Sequence, residues 1–452
     1  MGRLFGTDGI RGRANQDLTA ELALDLAVAG SRVLTEDTGD RRRKAVVGRD
    51  PRLSGEFLEC AVVAGLASTG VDVVRVGILP TPGLAHLVQA SGADMGVMLT
   101  ASHNPMPENG IKFFRRGGLK LDDATEDAIE QRMLQPWRRP MGVAIGRVMD
   151  SPGMVEDYVH HLISSVRSAA GEKVSLVGLK VVLDLANGAG HRTAPAAFRQ
   201  LGAEVVVING KPDGTNINDR CGASHPAELQ RAVLEHGADL GIALDGDGDR
   251  CIAAAEDGDI VDGDQIMGIL ALTMQERGLL AHDTLVVTQM SNLGLDHALA
   301  EHGIRVVRTA VGDRYVFRAM REGGYSLGGE QVGHIIVPEF ATTGDGTLTG
   351  LLLMTVMADL GAPLSEMASF VHRLPQELIN VPEVDKYRVE TDREVVAALE
   401  AANRVLGAEG RVLLRPSGTE QIVRVMVECT DADRARAVAQ GLAQVVRERL
   451  AL

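Results

Sequence analysis

The sequence predicts an α/β protein: three tandem α/β domains with mixed, mainly parallel sheets, followed by a small C-terminal α+β domain, around a central cleft. Two observations predict it. Apolar runs alternate with helical periodicity in a plan used three times, and that plan stops after Leu374. The length, 452 residues, agrees with several domains, since one domain takes about 150.

The first use of the plan is KAVVGRD (44–50), a helical pattern to about Ser68, then VDVVRVG (71–77). The second is LKVVLDLANG (179–188), a helix, then AEVVVING (203–210). The third is TLVVTQMSN (284–292), a helix, then IRVVRT (304–309). Short β-branched runs bounded by turns and separated by helical periodicity read as β-α-β units, hence parallel strands. A second echo aligns GADMGVMLTASHNP (92–105) with GADLGIALDGDGDR (237–250), placing Ser102 over Asp247. Each reads as a buried strand opening into a polar loop, and GGYSLGGEQVGH (323–334) is a looser third copy. Ligands of open α/β sheets gather beyond the carboxyl ends of strands, so the three loops are expected around one site.

After Leu374 the stretch PQELINVPEVDKYRVETD, with two prolines and scattered charge, reads as a linker. A helical run from Arg393 to Leu406 follows, then strand-like RVLLRPSG and IVRVMVEC, then an amphipathic helix from Asp431. Breaks near Met149 to Met154 and near Glu256 to Gly258 complete the division into 1–153, 154–256, 257–373 and 374–452.

Apolar residues make up 45% and charged residues 24%, the balance of a folded globular chain. Aromatics are scarce, so the cores must be built from Ala, Val, Leu and Ile. A net charge of −15 repels a phosphate backbone and argues against a nucleic-acid partner. Cys60, Cys221, Cys251 and Cys429 stand far apart, which argues against a disulfide framework or a zinc site and suits a reducing compartment. The longest apolar stretch, Leu351 to Ala358, is about half of the roughly 20 residues a membrane span needs, and no signal pattern opens the chain. A cytoplasmic protein with no membrane partner is expected.

The strongest chemical signal is Asp245-Gly-Asp247-Gly-Asp249-Arg250. Alternate carboxylates share one side of an extended backbone, and the glycines let it curl until they converge. Two carboxylates 4 Å apart repel by about 4 kcal/mol at an effective dielectric near 20. A converged trio therefore calls for a cation, and all-oxygen ligands favour Mg²⁺ or Ca²⁺. An EF-hand is excluded, because Arg250 stands where its sharp turn needs Gly and the flanks read as strands. Ser102 and His103 at the aligned strand end are a nucleophile candidate beside an imidazole. A serine oxygen near a divalent cation suits phosphoryl transfer, where positioning and charge neutralisation dominate. Arg415-Pro-Ser417-Gly418-Thr419-Glu420, with Arg424 beyond, has the amides, hydroxyls and guanidinium of an anion site or, equally, of a hairpin turn. Glu330 and His334 on one Gly-bracketed loop suit sugar hydroxyls. Arg3, Arg11, Arg13, Arg49, Arg52 and Lys112 supply cations near these loops.

Together FGTDGIRG (5–12), TASHNP (100–105), DGDGDR (245–250), GEQVGH (329–334) and RPSGTE (415–420) resemble, over the full length and in order, the α-D-phosphohexomutase superfamily, and most closely its glucosamine branch. The resemblance implies that Ser102 is phosphorylated and that Mg²⁺ is held by Asp245, Asp247, Asp249 and the phosphoserine. It implies that Glu330 and His334 meet the sugar, that Arg250 binds the substrate, and that Arg415, Ser417, Gly418, Thr419 and Arg424 hold the phosphate that is not reacting. Arg11, Lys112 and His103 would lie beside the transferring group, Lys112 and His103 as acid/base or charge-stabilising residues.

The implied reaction interconverts glucosamine 6-phosphate and glucosamine 1-phosphate through glucosamine 1,6-bisphosphate, which is both intermediate and activator, and feeds amino-sugar and cell-wall precursors. The runner-up is a phosphomannomutase/phosphoglucomutase; a serine phosphatase and a non-enzymatic sugar-phosphate or Ca²⁺-binding protein are the other readings. Val332 and Gln421 depart from the Ser and Pro usual in the family. The sugar phosphate is the expected partner, and the choice between monomer and homodimer is left open.

Overall fold

The computed structural model describes residues 3–6, 8–36, 41–171, 173–417 and 421–452. They form two compact units, residues 1–288 with 306–369, and residues 289–305 with 370–452.

The larger unit holds three sheets. In the first, the central strand Arg43–Arg49 runs parallel to Val71–Ile78 on one side and to Met95–Leu99 on the other. Val148–Asp150 extends it in parallel, while Glu108–Arg115 and Ile10–Arg13 close the other edge antiparallel. Alternation along the strands explains why helices cover both faces. Ala45 and Val47 pack with Leu26, Leu58 and Leu66 of helices Ala20–Leu34 and Gly55–Ser68. Val46 packs with Leu84 and Val88 of helix Thr81–Ala90 on the opposite face.

The second sheet sets Lys180–Asp184 parallel to Glu204–Ile208 and to Leu240–Leu244, which turns back antiparallel as Cys251–Ala255. Glu256 to Gly258, read as a break in the sequence, is the turn that joins Cys251–Ala255 to its antiparallel partner Ile260–Val261. In the third sheet Thr284–Thr288 lies parallel to Gly328–Gly329, which pairs antiparallel with Ile335–Ile336. The long apolar stretch belongs to helix Gly346–Leu360, buried along most of its length and capped by Asp345, whose side chain accepts from the Leu348 amide. Among the described residues no helix is long and apolar enough to cross a membrane. The four cysteines are free thiols.

The smaller unit contains an antiparallel three-stranded sheet ordered Gln376–Pro382, Ile422–Cys429, Gly410–Pro416. The expected linker is thus partly a strand. Its alternation places Ile379 and Val381 against the core while Pro382 ends an edge strand, where a missing N–H costs no ladder bond. Helices Arg393–Leu406 and Ala432–Leu450 form as the sequence predicts, with Asp392 and Asp431 as N-caps.

Candidate functional site

Three loops leave the carboxyl ends of strands in the three sheets of the larger unit, one from each, after Leu99, Leu244 and Gly329. In the first, Ser102 is 1% exposed and sits at φ 52°, a left-handed conformation that costs a non-glycine residue about 1 kcal/mol or more. Its amide donates to Thr100 Oγ1 at 2.9 Å, and its carbonyl accepts from Arg52 Nη2 at 3.0 Å and Asn218 Nδ2 at 2.8 Å. The hydroxyl donates to Asp245 Oδ2 at 2.7 Å and lies 3.3 Å from His103 Nδ1. The loops that the aligned repeats pair do meet, through Asp245 rather than through the aligned Asp247.

The second loop gathers one oxygen each from Asp245, Asp247 and Asp249 within 4.8 Å of one another, all buried. Gly246 permits the approach: a Cβ there would stand 2.6 Å from the Ser102 carbonyl oxygen and 2.7 Å from Asn218 Nδ2. Asp245 Oδ1 accepts the amides of Asp249 at 3.1 Å and Arg250 at 3.2 Å. Asp247 Oδ2 accepts from Thr81 Oγ1 at 2.6 Å and Lys112 Nζ at 2.9 Å. Asp247 Oδ1 and Asp249 Oδ1 are buried with no hydrogen-bond partner among the described residues. Buried carboxylate oxygens without donors are costly unless a cation takes that place, so the donor set fits a small, hard divalent ion such as Mg²⁺. Burial together with Asp249 and Asp247 pushes the Asp245 pKa well up. Burial opposes ionisation of Asp249 too, but His334 and Lys112 hold its pKa below the usual carboxylate value.

Lys112 lies on strand Glu108–Arg115, 3% exposed, with Nζ 2.7 Å from Asp8 Oδ2, 2.9 Å from Asp247 Oδ2 and 3.8 Å from Asp249 Oδ2. Burial favours its neutral form, yet Asp247 and Asp8 outweigh burial and raise its pKa above the ordinary lysine value. Arg11 Nη2 reaches Asp8 Oδ2 at 3.4 Å from the paired strand Ile10–Arg13. Lys120 continues the network to Asp8 and Asp313. No pattern in the sequence points to Lys120, Asp313 or Thr81. Only Asp8 has a signal there, its place inside FGTDGIRG. His103 behaves oppositely to Lys112: burial, then Arg250 and Arg11, bring its pKa down to about 4, so the imidazole is neutral at pH 7.

In the third loop Glu330 accepts the Gly312 amide at 3.2 Å, and burial raises its pKa. His334 is 3% exposed, with Nδ1 3.5 Å from Asp249 Oδ2 and Nε2 3.2 Å from Asp313 Oδ2. Burial opposes its charge, but the two carboxylates prevail and its pKa rises to about 10. The ring therefore stands between Asp249 of the carboxylate loop and Asp313, a pairing the sequence does not convey. Gly333, at φ 89°, lets this loop close on the second: its carbonyl accepts the Cys251 amide at 2.9 Å, and a Cβ would stand 2.1 Å from the Cys251 oxygen. Val332 is 47% exposed. Arg250 follows the trio, its Nε 4.0 Å from Asp249 Oδ1.

In the smaller unit Arg415 and Arg424 are register partners on adjacent antiparallel strands. Directly opposed residues share a face, so both side chains leave the same side of the sheet. The Ser417 amide donates to the Ile422 carbonyl at 2.9 Å. Gly418, Thr419 and Glu420 lie outside the described residues.

Four family models match in chain order. They are phosphoglucomutase/phosphomannomutase α/β/α domain I at residues 2–137, domain II at 156–258, domain III at 262–374, and the C-terminal domain at 378–445. The chain is 58% identical over 454 residues to phosphoglucosamine mutase of Cutibacterium acnes, covering 100% of both chains. It is 58% identical over 457 residues to phosphoglucosamine mutase of Streptomyces avermitilis, again with 100% of each covered. Among solved structures it is similar to a phosphoglucomutase/phosphomannomutase family protein from Burkholderia thailandensis, with TM-score 0.82, 25% identity, and 99% and 97% of the two chains covered. The fold is shared with Aspergillus fumigatus N-acetylphosphoglucosamine mutase, solved with GlcNAc-6P and magnesium, at TM-score 0.70, 20% identity and coverage of 98% and 95%.

Proposed function

The chain belongs to the phosphoglucomutase/phosphomannomutase family, with the activity of a phosphoglucosamine mutase, and from that premise we propose how its residues carry the interconversion of glucosamine 6-phosphate and glucosamine 1-phosphate. Ser102 is the phosphoryl carrier. The observation that supports it most is the Ser102 hydroxyl 2.7 Å from Asp245, beside carboxylate oxygens that lack donors. Asp245, Asp247, Asp249 and phosphorylated Ser102 would hold Mg²⁺. When bound, the ion supplies neutralisation of charge on the transferring phosphoryl group.

The C1 hydroxyl of glucosamine 6-phosphate attacks the phosphorus on Ser102; the new O–P bond forms as the serine O–P bond breaks. The hydroxyl proton passes to His103, the uncharged group in place, which lies 3.3 Å from Ser102 Oγ and delivers a proton to that oxygen as it leaves phosphorus. Lys112, locked among carboxylates, keeps its proton and acts as fixed positive charge, with Arg11 and Arg250 beside it. The 1,6-bisphosphate turns over without release, and its C6 phosphoryl group returns to Ser102, leaving glucosamine 1-phosphate. Glu330 orients sugar hydroxyls, and His334 holds Asp249 in register. Arg415, Ser417, Gly418, Thr419 and Arg424 bind the phosphate that is not reacting. The parts of the chain carrying these tasks are 1–153, 154–256, 257–373 and 374–452.

The test is product analysis with glucosamine, glucose and mannose 6-phosphates. Glucosamine 1-phosphate should form fastest, with free phosphate negligible beside it. Mannose turnover equal to or above glucosamine turnover, or free phosphate released in step with substrate loss, would contradict the reading.

A further inference from the structure

The backbone of the serine loop is gripped by one side chain that the chemistry above does not use. Arg52 is fully buried. Its Nη1 donates to the carbonyls of Pro105 at 2.7 Å and Glu108 at 3.0 Å, and its Nη2 to those of Ser102 at 3.0 Å and Asn104 at 2.7 Å. Its Nε donates to Asp50 Oδ2 at 2.9 Å, and its amide to Asp50 Oδ1 at 3.0 Å. Asp50 Oδ2 also accepts from Thr100 Oγ1 at 2.7 Å, and that hydroxyl oxygen accepts the Ser102 amide at 2.9 Å. Asn218 closes the other side, with Nδ2 2.8 Å from the Ser102 carbonyl and 3.0 Å from that of Asn104.

The topology explains why one arginine can do this. Strands Arg43–Arg49 and Met95–Leu99 are parallel neighbours, so the loops after them leave side by side. Every acceptor of the Arg52 head apart from Asp50 is a backbone carbonyl, so what the guanidinium fixes is the path of the chain. That path includes Ser102 at φ 52°, a conformation that persists only where its surroundings impose it. A buried ion pair is a poor way to gain stability, because desolvation offsets most of its attraction; its value is in holding one geometry.

We propose that Arg52, braced by Asp50 and opposed by Asn218, is the positioning residue that holds the Ser102 side chain toward Asp245 for phosphoryl transfer. The proposal rests on Ser102 being the phosphoryl carrier. Arg52→Lys keeps the charge but cannot reach four carbonyls at once. Asn218→Ala removes the opposing grip without leaving a buried charge. Each variant is checked for folding by circular dichroism, and kcat, KM and phosphoserine content by intact mass are measured.

Misplacement of a reacting group by about 1 Å can cost on the order of 100-fold, so Arg52→Lys should lose about 30-fold or more in kcat while KM stays within about threefold. Asn218→Ala should lose about fivefold in kcat in the same pattern, and added glucosamine 1,6-bisphosphate should restore neither. A folded Arg52→Lys with kcat within about threefold of the parent, a loss carried by KM, or full restoration by the bisphosphate would overturn the proposal. Should Arg52→Lys fail to fold, Asn218→Ala decides by the same pattern. Failure of the underlying reading shows separately, as a parent enzyme whose Ser102 never carries a phosphoryl group.

Discussion

Asp247 shows how much a single side chain is asked to do. One of its oxygens is spoken for by Thr81 and Lys112, and the other is buried with no donor among the described residues. Asp247→Asn keeps the shape and removes a negative charge from a site suited to a hard cation. The Mg²⁺ concentration for half-maximal activity is expected to rise about tenfold or more, equivalent to about 1.4 kcal/mol of lost binding. An unchanged Mg²⁺ titration would remove Asp247 from the ligand set. The contrast between Lys112 and His103 belongs to the same scale. Both are cut off from much of the solvent, but one is surrounded by carboxylates and the other faces Arg250 and Arg11, so their pKa values move apart.

Between elements, the seam of helix Thr81–Ala90 with helix Met154–Ala170 stacks His86 on His161, ring centroids 3.8 Å apart and planes 13° from parallel. Burial first, and then His161, bring the His86 pKa down to about 4. His161 is lowered by burial, against the bond between its Nε2 and the Phe340 carbonyl at 2.9 Å. As pH falls below the ordinary histidine value, the unfolded chain takes up a proton that native His86 refuses. The stability this seam contributes is therefore complete above about pH 6.5 and is lost as pH falls toward 4. Thermal melts of the parent and His86→Gln at steps from pH 7.5 to 4 should converge on acidification, the parent Tm falling more steeply. Parallel curves would mean that the pair does not titrate with folding.

Over the whole molecule, legibility followed the physics that generates each feature. Repeated β-branched runs and helical periods are local, and the strands Met95–Leu99 and Leu240–Leu244 with their loops lie where the aligned repeats predict them. The meeting of Ser102 with the carboxylate loop was legible because two copies of one plan carried different chemistry at the same position. What stayed hidden depended on neighbours distant in sequence. Pro382 is acceptable only because its strand lies at a sheet edge. Asp313, at the start of helix Asp313–Gly323, and Lys120, on strand Leu119–Lys120, enter the site through contacts between parts of the chain far apart in sequence, and Arg52 looks like a surface cation until its carbonyl partners are known.

The central claim is that Ser102 carries a phosphoryl group between the two ends of the sugar. It is tested most directly by intact-mass spectrometry of the parent and Ser102→Ala, before and after incubation with glucosamine 6-phosphate. The account requires an added mass of one phosphoryl group on the parent that is lost to substrate and regained from the bisphosphate, and its absence from the variant together with turnover. A parent that turns over glucosamine 6-phosphate without ever carrying that mass, or a Ser102→Ala protein that keeps both the mass and the activity, would contradict it.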